Sequence, residues 1–387
     1  MRILLLAPHP FYQERGTPIA VDLLASVLAE RGKQVDILTY HEGDDRSYKG
    51  NVSIYRISPP PFSNNIRPGF SIKKLICDIA MYKMATKLAN NNKYDCIHAV
   101  EESAFMARRI ARKHKIPFIF DMDSSMPNQI ADKIPLAKPI LPIMRHLEAK
   151  LIQSAAVVVP MCEALADTAR KMGAKQVEVL HDISLLPQSY TPDPAKGFRS
   201  KLNISGPALL YIGNLESYQG ISLMLESFSK TIKKTPDANL VIVGGRPDDI
   251  NKYKKMAAEL HCSVNVHFLG PRPLNHMCYL FDDADILVSP RTQGKNTPMK
   301  IYSYLDSQRA IIATDLPTHT QVMDNSMAIL TQPSPDAMAD AMLKLISNKT
   351  LRAKLAHNAK LHAVENFSRT AFTKKINKIY QLIQPDL

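Results

Sequence analysis

At 387 residues the chain is longer than one hydrophobic core usually supports, so two domains are expected. A hydrophobic share of 45% and a charged share of 22% are those of a folded globular protein. With 49 Lys and Arg against 36 Asp and Glu, the net charge of +13 favours an acidic partner: a nucleotide, an anionic membrane surface or nucleic acid. No Arg/Lys block alternates with aromatic residues and Trp is absent, which makes nucleic acid the weakest of the three. Five scattered cysteines without CxxC spacing argue against a disulfide framework or a zinc site and suit the cytosol. The apolar run at the N-terminus, Met1 to Pro8, is too short for the h-region of a signal peptide, and no run approaches the roughly 20 apolar residues of a spanning helix. The expectation is a cytoplasmic protein, soluble or peripheral on the inner face of a membrane.

In chain order, Arg2 to Ala7 lacks polar alternation and reads as a strand buried on both faces, as in a parallel sheet. A loop runs from Pro8 to Pro18, and a helix from Val21 to Arg31 closes at Gly32. With the strand Gln34 to Thr39 this makes a βαβ unit without the GxGxxG fingerprint. Gly16 marks a place where the backbone turns sharply or is approached closely. After the strand Val52 to Ile57, the helix Gly69 to Asn90 sets Lys73, Lys74, Lys83 and Lys87 beside Ile72, Leu75, Ile76, Ile79 and Met81. It reads as a surface helix with a core face and a solvated lysine face, or as a basic amphipathic helix on an anionic membrane.

The strand Asp95 to Ala99 carries His98, and Glu101 and Glu102 suit the start of the next helix. The strand Pro117 to Phe120 ends in Asp121-Met122-Asp123, polar residues of the kind that line the crevice of an open α/β sheet. Alternate aspartates on a strand face the same way and could hold a divalent ion, but that arrangement belongs to a single-domain fold, so no metal is expected. Further elements run to the strand Val177 to Leu180, and Pro187 to Pro194 reads as a linker. A second α/β set then begins at Ala208 to Gly213, so the fold class is α/β with two Rossmann-like domains facing across a cleft.

One stretch of the second set organises the rest. The aliphatic strand Asp285 to Val288 leads into Ser289-Pro290-Arg291-Thr292-Gln293-Gly294-Lys295-Asn296, a loop. Thr297 suits an N-cap and Pro298 a first helical position. Strand, loop and helix N-terminus form an anion site, to which Arg291, Lys295 and Lys300 add cations. The same residues also fit an ordinary strand-to-helix turn with a solvated basic rim.

The whole pattern resembles the retaining glycosyltransferases of family 4, or group 1, with the GT-B fold. The resemblance rests on Tyr211-Ile212-Gly213-Asn214-Leu215, Tyr218-Gln219-Gly220, Val241 to Gly245, Phe268 to Pro271, Pro298 to Leu305 and Ile311 to Asp315, with Gly16-Thr17 and Arg31 to Val35 in the first half. It implies an N-terminal acceptor-side domain over 1–187, with the helix 368–387 packing back on it, and a donor-binding domain over 188–367. Two glutamates usual in the family are replaced by Lys295 and Ser303, and its diphosphate-clamping arginine and lysine by Asn214 and Gln219.

The resemblance implies transfer of a sugar from a nucleotide diphosphate to a hydroxyl acceptor, with retention and without metal or cofactor, in cell-envelope polysaccharide, glycolipid or related synthesis. Gly213, Lys295, Asn296 and Thr297 are assigned to the phosphates, with Arg291 in support, and Asn214 and Gln219 hold the clamp positions. Ser303 is assigned to the ribose, Arg272 with Pro271 to the base, and Gly16 and Thr17 to the diphosphate from the other domain. Asp123 or His98 is the candidate catalytic group facing the acceptor; a satisfied strand-end residue fits either as well. Two further classes stay open: a nucleotide-sugar-binding relative without turnover, suggested by Lys295 and Ser303, and a nucleotide-sugar 2-epimerase.

Overall fold

The computed structural model describes residues 1–66, 69, 71–127, 130, 139–294 and 296–383. The chain divides into two compact units. One is Met1–His181 joined by the C-terminal segment that starts at Phe372, and the other is Asp182–Ala371.

The first unit contains β1 (Arg2–Ala7), α1 (Gly16–Glu30), β2 (Gln34–Thr39), β3 (Val52–Arg56), α2 (Ile72–Asn91), β4 (Cys96–Val100), α3 (Ser103–His114), β5 (Phe118–Met122), α4 (Leu141–Ser154), β6 (Val157–Pro160) and α5 (Glu163–Lys171). Its sheet is parallel, in the order β3-β2-β1-β4-β5-β6. β1 is an uninterrupted aliphatic run after Arg2, and the interiors of β2 and β4 are aliphatic apart from Asp36 and His98; burial on both faces explains why they need no polar alternation.

Two helices of this unit depart from expectation. Helix α1 begins at Gly16, five residues before Val21, with Pro18 inside its first turn. A proline there loses no helical hydrogen bond, so Gly-Thr-Pro reads as a loop in the sequence yet starts the helix. Helix α2 is capped by Ser71, whose side chain accepts from Lys74 N at 3.3 Å. Its core stripe is Cys77, Met81, Ala85 and Ala89, one residue every four. Lys74 lies under this helix at 8% exposure, whereas Ile72 and Ile79 are 74% and 55% exposed. The expected division into apolar core face and lysine solvent face is therefore partly inverted. Lys74 is drawn in by an ion pair with Glu102, and its neighbours cannot share its face.

The second unit contains α6 (Arg199–Leu202), β7 (Ala208–Ile212), α7 (Ile221–Ile232), β8 (Asn239–Val243), α8 (Pro247–Glu259), β9 (Val266–Gly270), α9 (Met277–Asp283), β10 (Ile286–Ser289), α10 (Lys300–Asp306), β11 (Ala310–Thr314), α11 (Pro317–Thr320), β12 (Ile329–Thr331), α12 (Pro335–Ser347) and α13 (Lys349–Asn366). Its sheet is again parallel, in the order β12-β11-β10-β7-β8-β9, with an apolar core on each face. The last helix, α14 (Arg369–Gln381), carries Tyr380 into the first unit, where Tyr380 Oη lies 2.9 Å from His98 Nδ1.

Candidate functional site

Each sheet reverses its direction of growth once, between β1 and β4 in the first unit and between β7 and β10 in the second. Ligands of open α/β sheets bind beyond the carboxyl ends of the strands at such a point. In the second unit these ends are Ile212-Gly213 and Ser289-Pro290.

Lys300 converges on this place from the first position of α10. Its Nζ stands 3.8 Å from the centre of the Tyr211 ring, and a Cβ on Gly213 would come within 3.3 Å of it. Gly213 has φ +152°, and that same Cβ would meet Tyr211 Oη at 2.9 Å, so glycine is what lets lysine, tyrosine and backbone share the space. The Tyr211 hydroxyl donates to Asn214 O at 2.6 Å, which fixes the ring. The Lys300 ammonium is shielded from solvent and, among the described residues, has no hydrogen-bond partner. Burial, and then the charge of Arg291, hold its pKa well below the ordinary lysine value. The ring face offsets part of that cost, but three N–H donors are left without an oxygen.

Arg291 supplies the neighbouring positive charge. Its Nε donates to Gln293 O at 2.7 Å and its Nη1 to Asn296 O at 3.0 Å, so the guanidinium ties the loop to itself. Beneath it, Thr314 Oγ1 donates to Arg291 O at 2.6 Å. His319 bridges Ser289 Oγ at 2.8 Å and Thr314 O at 2.8 Å, and burial pushes its pKa down to about 3. A neutral imidazole is therefore part of the scaffold under two cations. Nothing in the spacing of the sequence singles out His319 or the place of Tyr211 beside Lys300. Lys300 was visible as a basic residue of the stretch, but not as its buried member.

The other expected site residues separate. Thr297 is buried and among the described residues its hydroxyl lacks a partner, but it is not an N-cap: α10 starts at Lys300 after Met299. The helix is seven residues long, under two turns, so its dipole contributes little beside the Lys300 charge. Asn296 lies in the loop tied by Arg291, and Lys295 is outside the described residues. Asn214 is exposed, and its Oδ1 accepts from Glu216 N at 3.3 Å. Gln219 ends a short 3-10 turn, buried, with Oε1 lacking a partner among the described residues. Arg272 stands apart from the Lys300 group and lines a cavity of about 320 Å³ with Lys196 and Lys201.

Ser303 is a correction. It is fully buried in α10 and its Oγ accepts from Leu185 N at 3.0 Å, so it cannot reach a ribose. We expect Ser303→Ala to cost about 1–3 kcal/mol in urea unfolding, the price of an orphaned buried N–H, and to leave nucleotide affinity within about twofold.

In the first unit, Gly16 and Thr17 open α1, and a Cβ on Gly16 would meet nothing within 4 Å. His98 is the second correction. It is fully buried, stacked on Tyr380 at 6.0 Å, with Nδ1 at that hydroxyl and Nε2 3.3 Å from Asp121 Oδ2. Both ring nitrogens are engaged inside the fold, which leaves neither for an acceptor. Asp123 follows β5, half-buried, with its charge felt at the Cys162 thiol. Among the described residues, no three His, Cys, Asp or Glu side chains gather as a metal site.

A family model described as Glycosyl transferases group 1 matches residues 195–362, and one described as Glycosyl transferase 4-like domain matches residues 15–181. The chain belongs to the group 1 glycosyltransferases, family 4. This glycosyltransferase is similar to the phosphatidyl-myo-inositol mannosyltransferase of Mycobacterium tuberculosis, with 23% identity over 99% of this chain and 97% of the relative. In fold it matches a sucrose-phosphate synthase from Thermosynechococcus elongatus at a TM-score of 0.76 and 16% identity, covering 100% of both chains. It also matches the Anabaena protein HepE in complex with UDP, at 0.76 and 15% identity, covering 98% of this chain and 100% of that one. The two parallel six-stranded sheets are thus those of a GT-B glycosyltransferase.

Proposed function

We propose that this glycosyltransferase takes its sugar from a nucleoside diphosphate sugar, holds the diphosphate with Lys300 and Arg291, and transfers the sugar with retention to a hydroxyl of a lipid-linked acceptor. The observation that carries the donor half is the buried, partnerless Lys300 ammonium beside Gly213 at the strand-order reversal. A cation kept dry and without an acceptor is an anion site, because only a bound oxyanion returns the solvation it has lost. It also offers an answer to Asn214 and Gln219 at the clamp positions: the positive charge enters from α10 instead. The UDP complex of HepE supports a nucleotide in this fold, and the mannosyltransferase relative supports a lipid acceptor.

In the reaction, the acceptor oxygen bonds to the anomeric carbon while the bond from that carbon to the diphosphate breaks. The nucleoside diphosphate leaves with the electron pair, and the hydroxyl proton passes to a departing phosphate oxygen. Lys300 and Arg291 stabilise the charge that grows on the leaving group. A second reading is a binder without turnover, favoured by Ser303 being sealed inside at a usual glutamate position. Incubation with UDP-, GDP- and ADP-sugars and lipid acceptors decides between them. Nucleotide release is expected; tight binding with no release would leave the binder.

A further inference from the structure

The first unit holds a cavity of about 720 Å³ between α2, α3 and α4, within the size range of ligand sites. Leu75 and Ile79 of α2, Phe105 and Met106 of α3, Leu147 of α4 and Met126 in the segment after β5 give it apolar walls. Its floor carries Lys74, Asp78, Glu101 and Glu102. Glu101 directly follows β4, at the reversal point of the first sheet, and its φ of +48° is a backbone state rarely kept without a reason. Lys74 pairs with Glu102, and Tyr40 Oη donates to Asp78 Oδ1 at 2.6 Å. Burial and the neighbouring carboxylates raise Asp78 and Glu101 each to about 7, so the floor has more acid than its one lysine balances.

The rim has the opposite sign. Arg108 and Arg109 on one turn of α3 and Arg112 on the next line the cavity, and among the described residues no side-chain hydrogen bond or ion pair engages them. Around it the surface is apolar. Ile72, Leu75 and Ile79 on α2 and Ile143 and Leu147 on α4 are all exposed, Ile143 at 63%. Isolated exposed apolar residues are ordinary, but three of them, Leu75, Ile79 and Leu147, lining one cavity are not.

We infer that this cavity takes one hydrocarbon chain of a phosphate-bearing lipid, with the phosphate held by Arg108, Arg109 and Arg112. The charge pattern orients it: the acidic floor repels the phosphate and the arginine rim attracts it. The inference deepens the transferase reading and rests on it for that lipid being the acceptor; the binding itself needs neither donor nor turnover.

The chain has no Trp, so Tyr82→Trp, which places an indole in the cavity wall, gives a single emission reporter. We expect saturable quenching by a bromine-tailed dodecyl phosphate below its micelle concentration, competed by plain dodecyl phosphate but not by inorganic phosphate. Affinity should fall at least about tenfold in the exposed pair Arg109→Glu and Arg112→Glu, and binding should be lost in Ile79→Asp. Absence of quenching, or quenching that neither saturates nor responds to the arginine changes, overturns the inference. So does quenching by brominated vesicles but not by the monomeric phosphate, which would put the contact on a bilayer surface. Nucleoside diphosphate protection against heating, read on the same variants, should be unchanged. Its loss in the unmodified protein would sink the donor reading while leaving the lipid result standing.

Discussion

Without nucleotide, Lys300→Met is expected to melt at a higher temperature than the unmodified protein, and with nucleotide to bind it at least about thirtyfold more weakly. Both follow from one buried amine with no oxygen partner. Replacing an uncompensated buried cation by an apolar side chain of similar length removes a desolvation cost, a gain on the order of 1–3 kcal/mol. Removing it from a bound diphosphate forfeits a charge-assisted contact worth about 2–5 kcal/mol, which is about thirtyfold to several thousandfold in affinity. The pH dependence has a fixed sign. The folded-state pKa of Lys300 lies below its unfolded value, so between the two the unfolded chain binds the extra proton. Stability of the free protein therefore rises with pH across that window and levels off above about 10.4, and Lys300→Met lacks this slope. Nucleotide binding restores the proton, so affinity weakens as pH rises. Thermal melts and calorimetry over pH 7 to 10 check all of this; an unchanged affinity in Lys300→Met would refute the donor assignment.

The second large effect is steric. Gly220 precedes α7 with φ +76°, and a Cβ there would lie 1.9 Å from Pro290 O and 3.2 Å from Thr292 Cγ2. Gly220→Val must push the loop after β10 away and adopt a backbone state that branched residues avoid. Strain and overpacking together put the cost at about 2–5 kcal/mol in urea unfolding. The displaced loop carries Arg291, so nucleotide affinity should fall as well. Gly16→Ala is the matching control, with open space around the added methyl and a helical position to fill. It should leave stability unchanged or raise it by up to about 1 kcal/mol, so any loss of nucleotide binding there would report contact with ligand rather than damage to the fold.

How far the sequence carries can be seen at single positions. β7 and β10 are legible because both their faces are buried, and a run such as Ile286-Leu287-Val288 has no other use in a protein of this composition. The glycine at 213 is legible as a turn at a strand end. What is not legible is any property set by a partner far along the chain. Lys74 is a solvent lysine by spacing and a buried one because Glu102 lies opposite. His98 looks like a strand-end proton carrier until Tyr380, 282 residues later, closes over it. Ser303 sits where a ligand contact is expected, but Leu185 claims its hydroxyl. Lys300 is one of three cations in its stretch, and its place on the Tyr211 ring, without the carbonyl partners that Arg291 has, distinguishes it from Arg291.

The hydroxyl of Tyr380 against His98 also has a bearing on how the protein is made. The ribosome delivers the first sheet early, yet the aromatic plug that covers one of its central strands arrives only after all of the second unit has been translated. Until then the imidazole and the apolar surface around it are open to water or to other chains. The amino-terminal half should thus stay a client of chaperones through most of synthesis, and a stop codon placed just before Phe372 should yield an insoluble product even though every strand of both sheets is present.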